Sequence, residues 1–231
     1  MNRFLILLLV LFALGVAGCG DDDEDSGDGG AATTTTETQV ETEPAPQKTD
    51  GCLEVEQPKV KEDGGEEKPT EALSGDYEVT FRTNCGSFSI EIDEEVGGLT
   101  AASFVQLAES GFYEGTFFHR VVPGFVIQGG DPTGSGLGGP GYTTNDQPPA
   151  DAEYPEGTVA MAKAQAEPPG TAGSQFFVAT GPGLTPDYAI VGKVSRGFDV
   201  VKKIDKLGDA ADPAGTPTQV VVIEKATAKQ R

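Results

Sequence analysis

The chain has 231 residues and a formal net charge of −21, which makes nucleic acid and anionic lipid surfaces poor electrostatic partners. Gly (32) and Pro (16) form about a fifth of it, a composition suited to strands joined by turns rather than to a helical bundle. The acid is uneven, with 17 acidic and 4 basic side chains over residues 20–75 against 20 and 11 over residues 76–231, so one folded domain with an acidic appendage is expected.

In chain order, a positive start at Arg3 precedes an apolar run over residues 4–14, the pattern of a secretory signal peptide. The run is short for a membrane span of about 20 residues. It ends in Val16-Ala17-Gly18-Cys19, which resembles the lipobox of bacterial lipoproteins, where the cysteine is acylated and becomes the first mature residue. Residues 1–18 are thus read as a signal peptide. Residues 19–75 are read as a lipid-anchored, acidic, disordered tether, since their Asp, Glu, Thr and Pro runs cannot bury apolar surface. Acyl chains on Cys19 would hold the protein at the outer side of a membrane without spanning it. Export permits disulfides, and with Cys19 acylated, Cys52 and Cys85 remain to pair; two free thiols are the other possibility.

The folded domain is expected over residues 76–231. Residues 77–82 and 88–92 alternate with period two around a turn at Asn84-Cys85-Gly86, a hairpin. Residues 100–110 carry Phe104, Val105, Leu107 and Ala108 at helical spacing, with Thr100 as N-cap and Gly111 as stop. Phe117, Val121, Phe125 and Ile127 alternate in two bursts split by Pro123-Gly124, predicting two half-buried strands. Residues 132–149 hold too much Gly and Pro for regular structure. Short strands are expected over residues 159–162, 176–179 and 189–194. A helix is expected over about 198–206, and a closing strand over 219–225. Many short strands with two helices favour a mainly β fold, a closed antiparallel barrel. Gly134-Ser135-Gly136-Leu137-Gly138-Gly139 fits a dinucleotide fingerprint, but Pro140-Gly141 follows where a helix should start, so a glycine-rich surface loop is the better reading.

Three blocks together resemble the cyclophilins, the peptidyl-prolyl isomerases. They are residues 118–131 (FHRVVPGFVIQGGD), residues 157–162 (GTVAMA) followed by residues 173–177 (GSQFF), and residues 188–194 (YAIVGKV). The resemblance spans about residues 77–226. It implies a closed eight-stranded antiparallel β-barrel capped by two α-helices, with the active groove on the outer face. It also implies rotation of Xaa–Pro amides in proline-containing polypeptides, with no cofactor and no metal. Matched position by position, Arg120 is the catalytic arginine and Gln128 the glutamine that holds the substrate backbone. Phe125, Val126, Phe177 and Leu184 line the proline pocket, with Tyr188 beside them where many members carry histidine. Ala162, Lys163, Ala164 and Gln175 form the groove for residues ahead of the proline, and Gly136 is the loop glycine at its border. A tryptophan found near Leu184 in many members is replaced by Gly181-Pro182-Gly183.

The residues by themselves allow this chemistry. A guanidinium stays charged and presents fixed donors, which suits a nitrogen whose lone pair appears only when the amide twists. The single histidine, His119, allows no triad, and beside Arg120 it reads as a structural side chain. An alternative function is a proline-peptide binding or holdase module with little turnover. A purely structural envelope lipoprotein would leave the polar groove residues unexplained. The strong negative charge argues for a monomeric head.

Overall fold

The computed structural model describes residues 48–49 and 51–231. The expected signal peptide, Cys19 and the first part of the expected tether lie outside the described residues. The strands are β1 (Lys48–Thr49), β2 (Cys52–Leu53), β3 (Tyr77–Thr83), β4 (Gly86–Ile92), β5 (Arg120–Val122), β6 (Val126–Gly129), β7 (Thr144–Asn145), β8 (Thr158–Met161), β9 (Thr171–Ala172), β10 (Phe176–Ala179), β11 (Ile190–Arg196) and β12 (Ile223–Gln230). The helices are α1 (Glu94–Glu109) and α2 (Phe198–Asp205).

Eight strands form one antiparallel sheet in the order β12-β3-β4-β11-β8-β10-β6-β5. The expected closed barrel is corrected here: the sheet is an open half-barrel. Its edge strands β5 and β12 share no ladder, and the segments just ahead of them meet at an isolated bridge, Phe117 to Val222. Three backbone hydrogen bonds, from Phe118 N to Val221 O, from Ile223 N to Thr116 O and from Gly115 N to Ile223 O, complete that seam. The chain ahead of β5 is spent on turns, so only three residues remain at that edge to pair. The loop at Gly215 then covers the edge, its carbonyl accepting from Val121 N at 2.7 Å.

The predicted hairpin is β3–β4, paired from Glu78–Glu91 to Thr83–Gly86. Helix α1 starts six residues earlier than Thr100, at Glu94. Asp93 is its N-cap, accepting from Val96 N at 3.1 Å. The helix breaks at Gly98, whose φ of 50° and ψ of −129° are not helical. After the break Thr100 does not cap: its N–H and Oγ1 bond Asp146 Oδ2 at 2.8 and 2.6 Å, so a carboxylate from a distant loop serves the second start. The closing strand β12 begins at Ile223 rather than residue 219, because the preceding residues form the seam instead.

Period-two alternation sorts the strands into two apolar faces. The inner face, with α1 and α2 against it, buries Val79, Phe81, Phe88, Ile90, Ile127, Met161, Phe176 and Val178. Phe176 sits among other rings there, stacked on Phe81 at 5.0 Å and edge-on to Phe104 at 5.4 Å. The outer face carries a smaller cluster described below.

Residues 51–75, grouped with the tether by composition, lie along this domain. Cys52 is fully buried and joined to Cys85 by a disulfide. Leu53 N bonds Asn84 O at 2.9 Å beside it. The bridge spans 33 positions of sequence. On the loop-entropy estimate its removal by Cys52→Ser costs about 3–4 kcal/mol. Urea unfolding of the oxidised wild type and the variant should show a clearly lower midpoint for the variant, and reductant should move only the wild type.

Candidate active site

Register assembles the site. Arg120 on β5 stands opposite Gln128 on β6, Gln128 opposite Phe177 on β10, Phe177 opposite Ala160 on β8, and Ala160 opposite Ile190 on β11. Side chains in register share a face, so these five form one row across the outer surface. A second apolar cluster lies along that row. Val126, Tyr154, Ala160 and Phe177 are its buried members, packed by Phe125, Ala162, Leu184, Tyr188 and Ile190. All five predicted pocket residues, Phe125, Val126, Phe177, Leu184 and Tyr188, therefore come together. Alternation explains why neighbours in sequence differ in role: Phe176 and Ile127 point into the core, Phe177 and Val126 away from it.

The polar row continues through side-chain amides. Arg120 Nη1 donates to Gln128 Oε1 at 3.4 Å, Gln128 Nε2 to Gln175 Oε1 at 3.1 Å, and Gln175 Nε2 to Gly138 O at 2.9 Å. This chain leads from the apolar pocket into a groove of about 530 Å³ lined by Gln128, Gly136, Ala162, Lys163, Ala164 and Gln175, together with the Gly138–Thr143 loop and Asp63. Every residue predicted for the upstream groove is thus on its wall. The fingerprint-like glycines form that loop with no helix after them.

Several positioning residues escaped the sequence reading. Asp131 is fully buried. Its Oδ1 accepts from Thr133 N and Oγ1 at 2.7 and 2.9 Å, and its Oδ2 from Gly136 N and Gly138 N at 2.5 and 3.3 Å. Burial alone would raise its pKa, but these donors outweigh it and hold the carboxyl below its ordinary value. Because the folded-state pKa is depressed, this stability is complete above the unfolded value of about 3.9 and is lost as pH falls through the folded value. Asp131→Asn turns an amide toward two N–H donors. It should lower stability near neutrality by about 1–3 kcal/mol. The gap from wild type should narrow as urea midpoints are followed into acid; a constant gap would refute the assignment.

Asp205, at the end of α2, accepts from Gly124 N at 3.1 Å and Thr180 Oγ1 at 2.6 Å, pinning the turn that aims Phe125 to the strand that carries Phe177. Gly181 passes so close beneath that turn that a Cβ there would lie 1.8 Å from Gly124 O. Tyr154 donates its hydroxyl to Tyr188 O at 2.6 Å and receives Tyr188 N at 3.2 Å, fixing the pocket's far wall. Tyr188 in turn meets Phe177 edge-on at 5.2 Å, so the far wall carries an aromatic contact to the pocket. A lone Asp or Tyr in a turn-rich stretch carries no periodic signal by which it could have been found.

His119 stands apart. Burial pushes its imidazole pKa down, Asp131 opposes that and the Arg120 guanidinium adds to it. Its Nδ1 is buried without a protein partner. Among the described residues no group of three or more His, Cys, Asp or Glu side chains gathers as a metal site would require.

The cyclophilin-type peptidyl-prolyl cis-trans isomerase family model matches residues 78–228, which takes in every strand of the large sheet except parts of its outer ends. The chain belongs to this family. Peptidyl-prolyl cis-trans isomerase A of Mycobacterium tuberculosis is 40% identical over 169 residues, covering 64% of this chain and 90% of the relative. Isomerase ppi1 of Schizosaccharomyces pombe is 38% identical over 156 residues, covering 65% and 97%. Among solved structures, a Cryptosporidium parvum cyclophilin-type isomerase superposes with a TM-score of 0.59 at 32% identity, over 68% of this chain and 99% of that one. The same isomerase was also solved in the presence of the dipeptide Ala-Pro, and that structure matches with a TM-score of 0.58. The cyclophilin described here is therefore an Xaa–Pro isomerase by family, and residues 1–77 lie ahead of the matched range.

Proposed function

We propose that this cyclophilin isomerises Xaa–Pro bonds of exported proteins while acyl chains on Cys19 hold it at a membrane. The observation that carries the catalytic part is the single row in which Arg120 and Gln128 abut the Phe177 pocket. Rotation of an Xaa–Pro amide faces a barrier of about 18–20 kcal/mol because the proline nitrogen shares its lone pair with the carbonyl. In this reading the proline ring enters the pocket of Phe125, Val126, Phe177, Leu184 and Tyr188. Arg120 then donates to the nitrogen lone pair that emerges as the bond twists, an interaction stronger in the twisted state than in the planar one. Gln128 holds the substrate carbonyl by hydrogen bonding. Residues ahead of the proline run along Ala162, Lys163 and Ala164 toward Gln175 and Gly136. Water excluded by the apolar cluster strengthens the guanidinium contact. No proton is transferred and no bond is broken.

The anchor is supported by Val16-Ala17-Gly18-Cys19 after the apolar leader and by the acidic stretch that follows. Cell fractionation tests it: wild type should sediment with membranes and Cys19→Ser should move to the soluble fraction, while an unchanged distribution would sink the anchor. Proline-isomerisation assays on a short Xaa–Pro peptide test turnover, with Arg120→Ala as the control. Tight peptide binding without acceleration would select the binding-module alternative.

A further inference from the structure

The stretch from Cys52 to residue 75 is fastened down at points that converge on the groove. The disulfide to Cys85 and the Leu53–Asn84 hydrogen bond fix its start. Lys61 donates its Nζ to Phe112 O at 2.7 Å and its backbone N–H to Pro132 O at 2.8 Å. Gly64 N and Glu66 N then bond the carbonyls of Gly139 and Pro140, on the loop that borders the groove. Strap and loop touch at backbone level: a Cβ on Gly141 would lie 3.0 Å from Gly64 Cα, and both glycines have positive φ. Between these fastenings Asp63 Oδ1 accepts from Gly139 N at 2.6 Å, and Asp63 lines the groove itself.

We propose that this strap is the outer wall of the substrate groove and that Asp63 makes the enzyme prefer polypeptides with a lysine or arginine ahead of the proline. The proposal rests on the isomerase reading above, since it assigns the same groove to the residues upstream of the proline. The other charged side chains on the groove are Glu167 and Lys163. Lys163 does not cancel the carboxylates where a peptide would pass. Its ammonium is turned to the carbonyls of Glu167 and Ala164 at 3.0 and 3.3 Å and lies 5.9 Å from the Tyr188 ring centre. Glu167 is partly engaged through Ala164 N, at 2.6 Å. Asp63 is exposed, so its attraction for a basic side chain is that of a solvated ion pair.

The test is a peptide series on the full-length protein in which one residue upstream of the proline is Lys, Ala or Glu, the position being scanned. Wild type should isomerise Lys peptides with a higher kcat/KM than Glu peptides. Asp63→Asn should reduce that Lys-to-Glu ratio by about two- to fivefold, and Asp63→Glu should retain most of it. Salt near 1 M should flatten the wild-type ratio, since the screening length falls to about 3 Å; a strap that only braced the fold would leave the ratio unmoved. An equal ratio in wild type and Asp63→Asn overturns the proposal. Absence of acceleration for every peptide would instead overturn the isomerase reading. Fluorescence anisotropy of the same peptides then decides the strap: loss of a Lys-over-Glu binding preference in Asp63→Asn supports it, and equal binding overturns it.

Discussion

Arg120→Ala should lower kcat/KM for an Xaa–Pro peptide by about 100- to 1,000-fold, the effect of removing one preorganised donor from a developing charge, while peptide affinity changes little. The reason is geometric. In the proposed binding mode the proline ring lies against Phe125, Val126, Phe177, Leu184 and Tyr188, a cluster that does not include Arg120. On the proposed mechanism the variant lacks the donor for a lone pair that exists only in the twisted state, so the loss should fall on kcat. Arg120→Lys should recover only part of the rate. A single ammonium cannot both meet the substrate nitrogen and keep the hydrogen bond that now joins Arg120 to Gln128 Oε1. Protease-coupled or NMR exchange measurements separate the two constants. Rates for Arg120→Ala equal to wild type would remove the arginine from the mechanism.

Adjacent phenylalanines should fail in different ways. Phe176→Ala should destabilise the fold by about 3–5 kcal/mol, because Phe176 is fully buried and meets the rings of Phe81, Phe104, Tyr113 and Phe118 at 5.0 to 5.9 Å. Those rings belong to the main core and cannot collapse into the void together. Phe177→Ala opens a site in the smaller outer cluster, against the pocket, so its stability cost should be lower, about 1–3 kcal/mol. Its main effect should be on substrate: KM should rise about tenfold or more, the value of one aromatic contact withdrawn from the proline ring. Chemical denaturation and steady-state kinetics on both variants check the contrast. A Phe177→Ala protein with normal KM and a core-sized stability loss would show that this ring belongs to the scaffold alone.

Much of the site was legible because the blocks at residues 118–131, 157–162 and 173–177 resemble the cyclophilins closely enough to be matched position by position, while periodicity alone gave strands with a few polar residues among apolar ones. Pattern alone did not tell Phe177 from Phe176; the resemblance assigned Phe177 to the pocket, and the structure puts the two rings on opposite faces. The supports of the site were not legible. Asp131, Asp205 and Tyr154 act through contacts with residues near and far in sequence, and each sits in a stretch whose own composition says only loop or helix end. The start of α1 was misplaced for a related reason. Gly97 and Gly98 argue against a helix locally, yet the first turn is capped by Asp93 and the second is met by Asp146 from across the fold. The strap was hidden because its attachments are mostly backbone hydrogen bonds, which any sequence can make and no composition reveals.

The sequence by itself determined the main strands and the two helices, which follow from local periodicity, while the side chains of the row from Arg120 to Gln175 were named by the resemblance of their blocks to the cyclophilins. Only the tertiary structure decided that the barrel stays open, that a seam of loop hydrogen bonds joins its edges, and that residues following Cys52 lie against the groove with Asp63 on its wall. Closure and docking depend on how edges and backbone groups distant in sequence meet in space, and no repeat along the chain encodes that meeting.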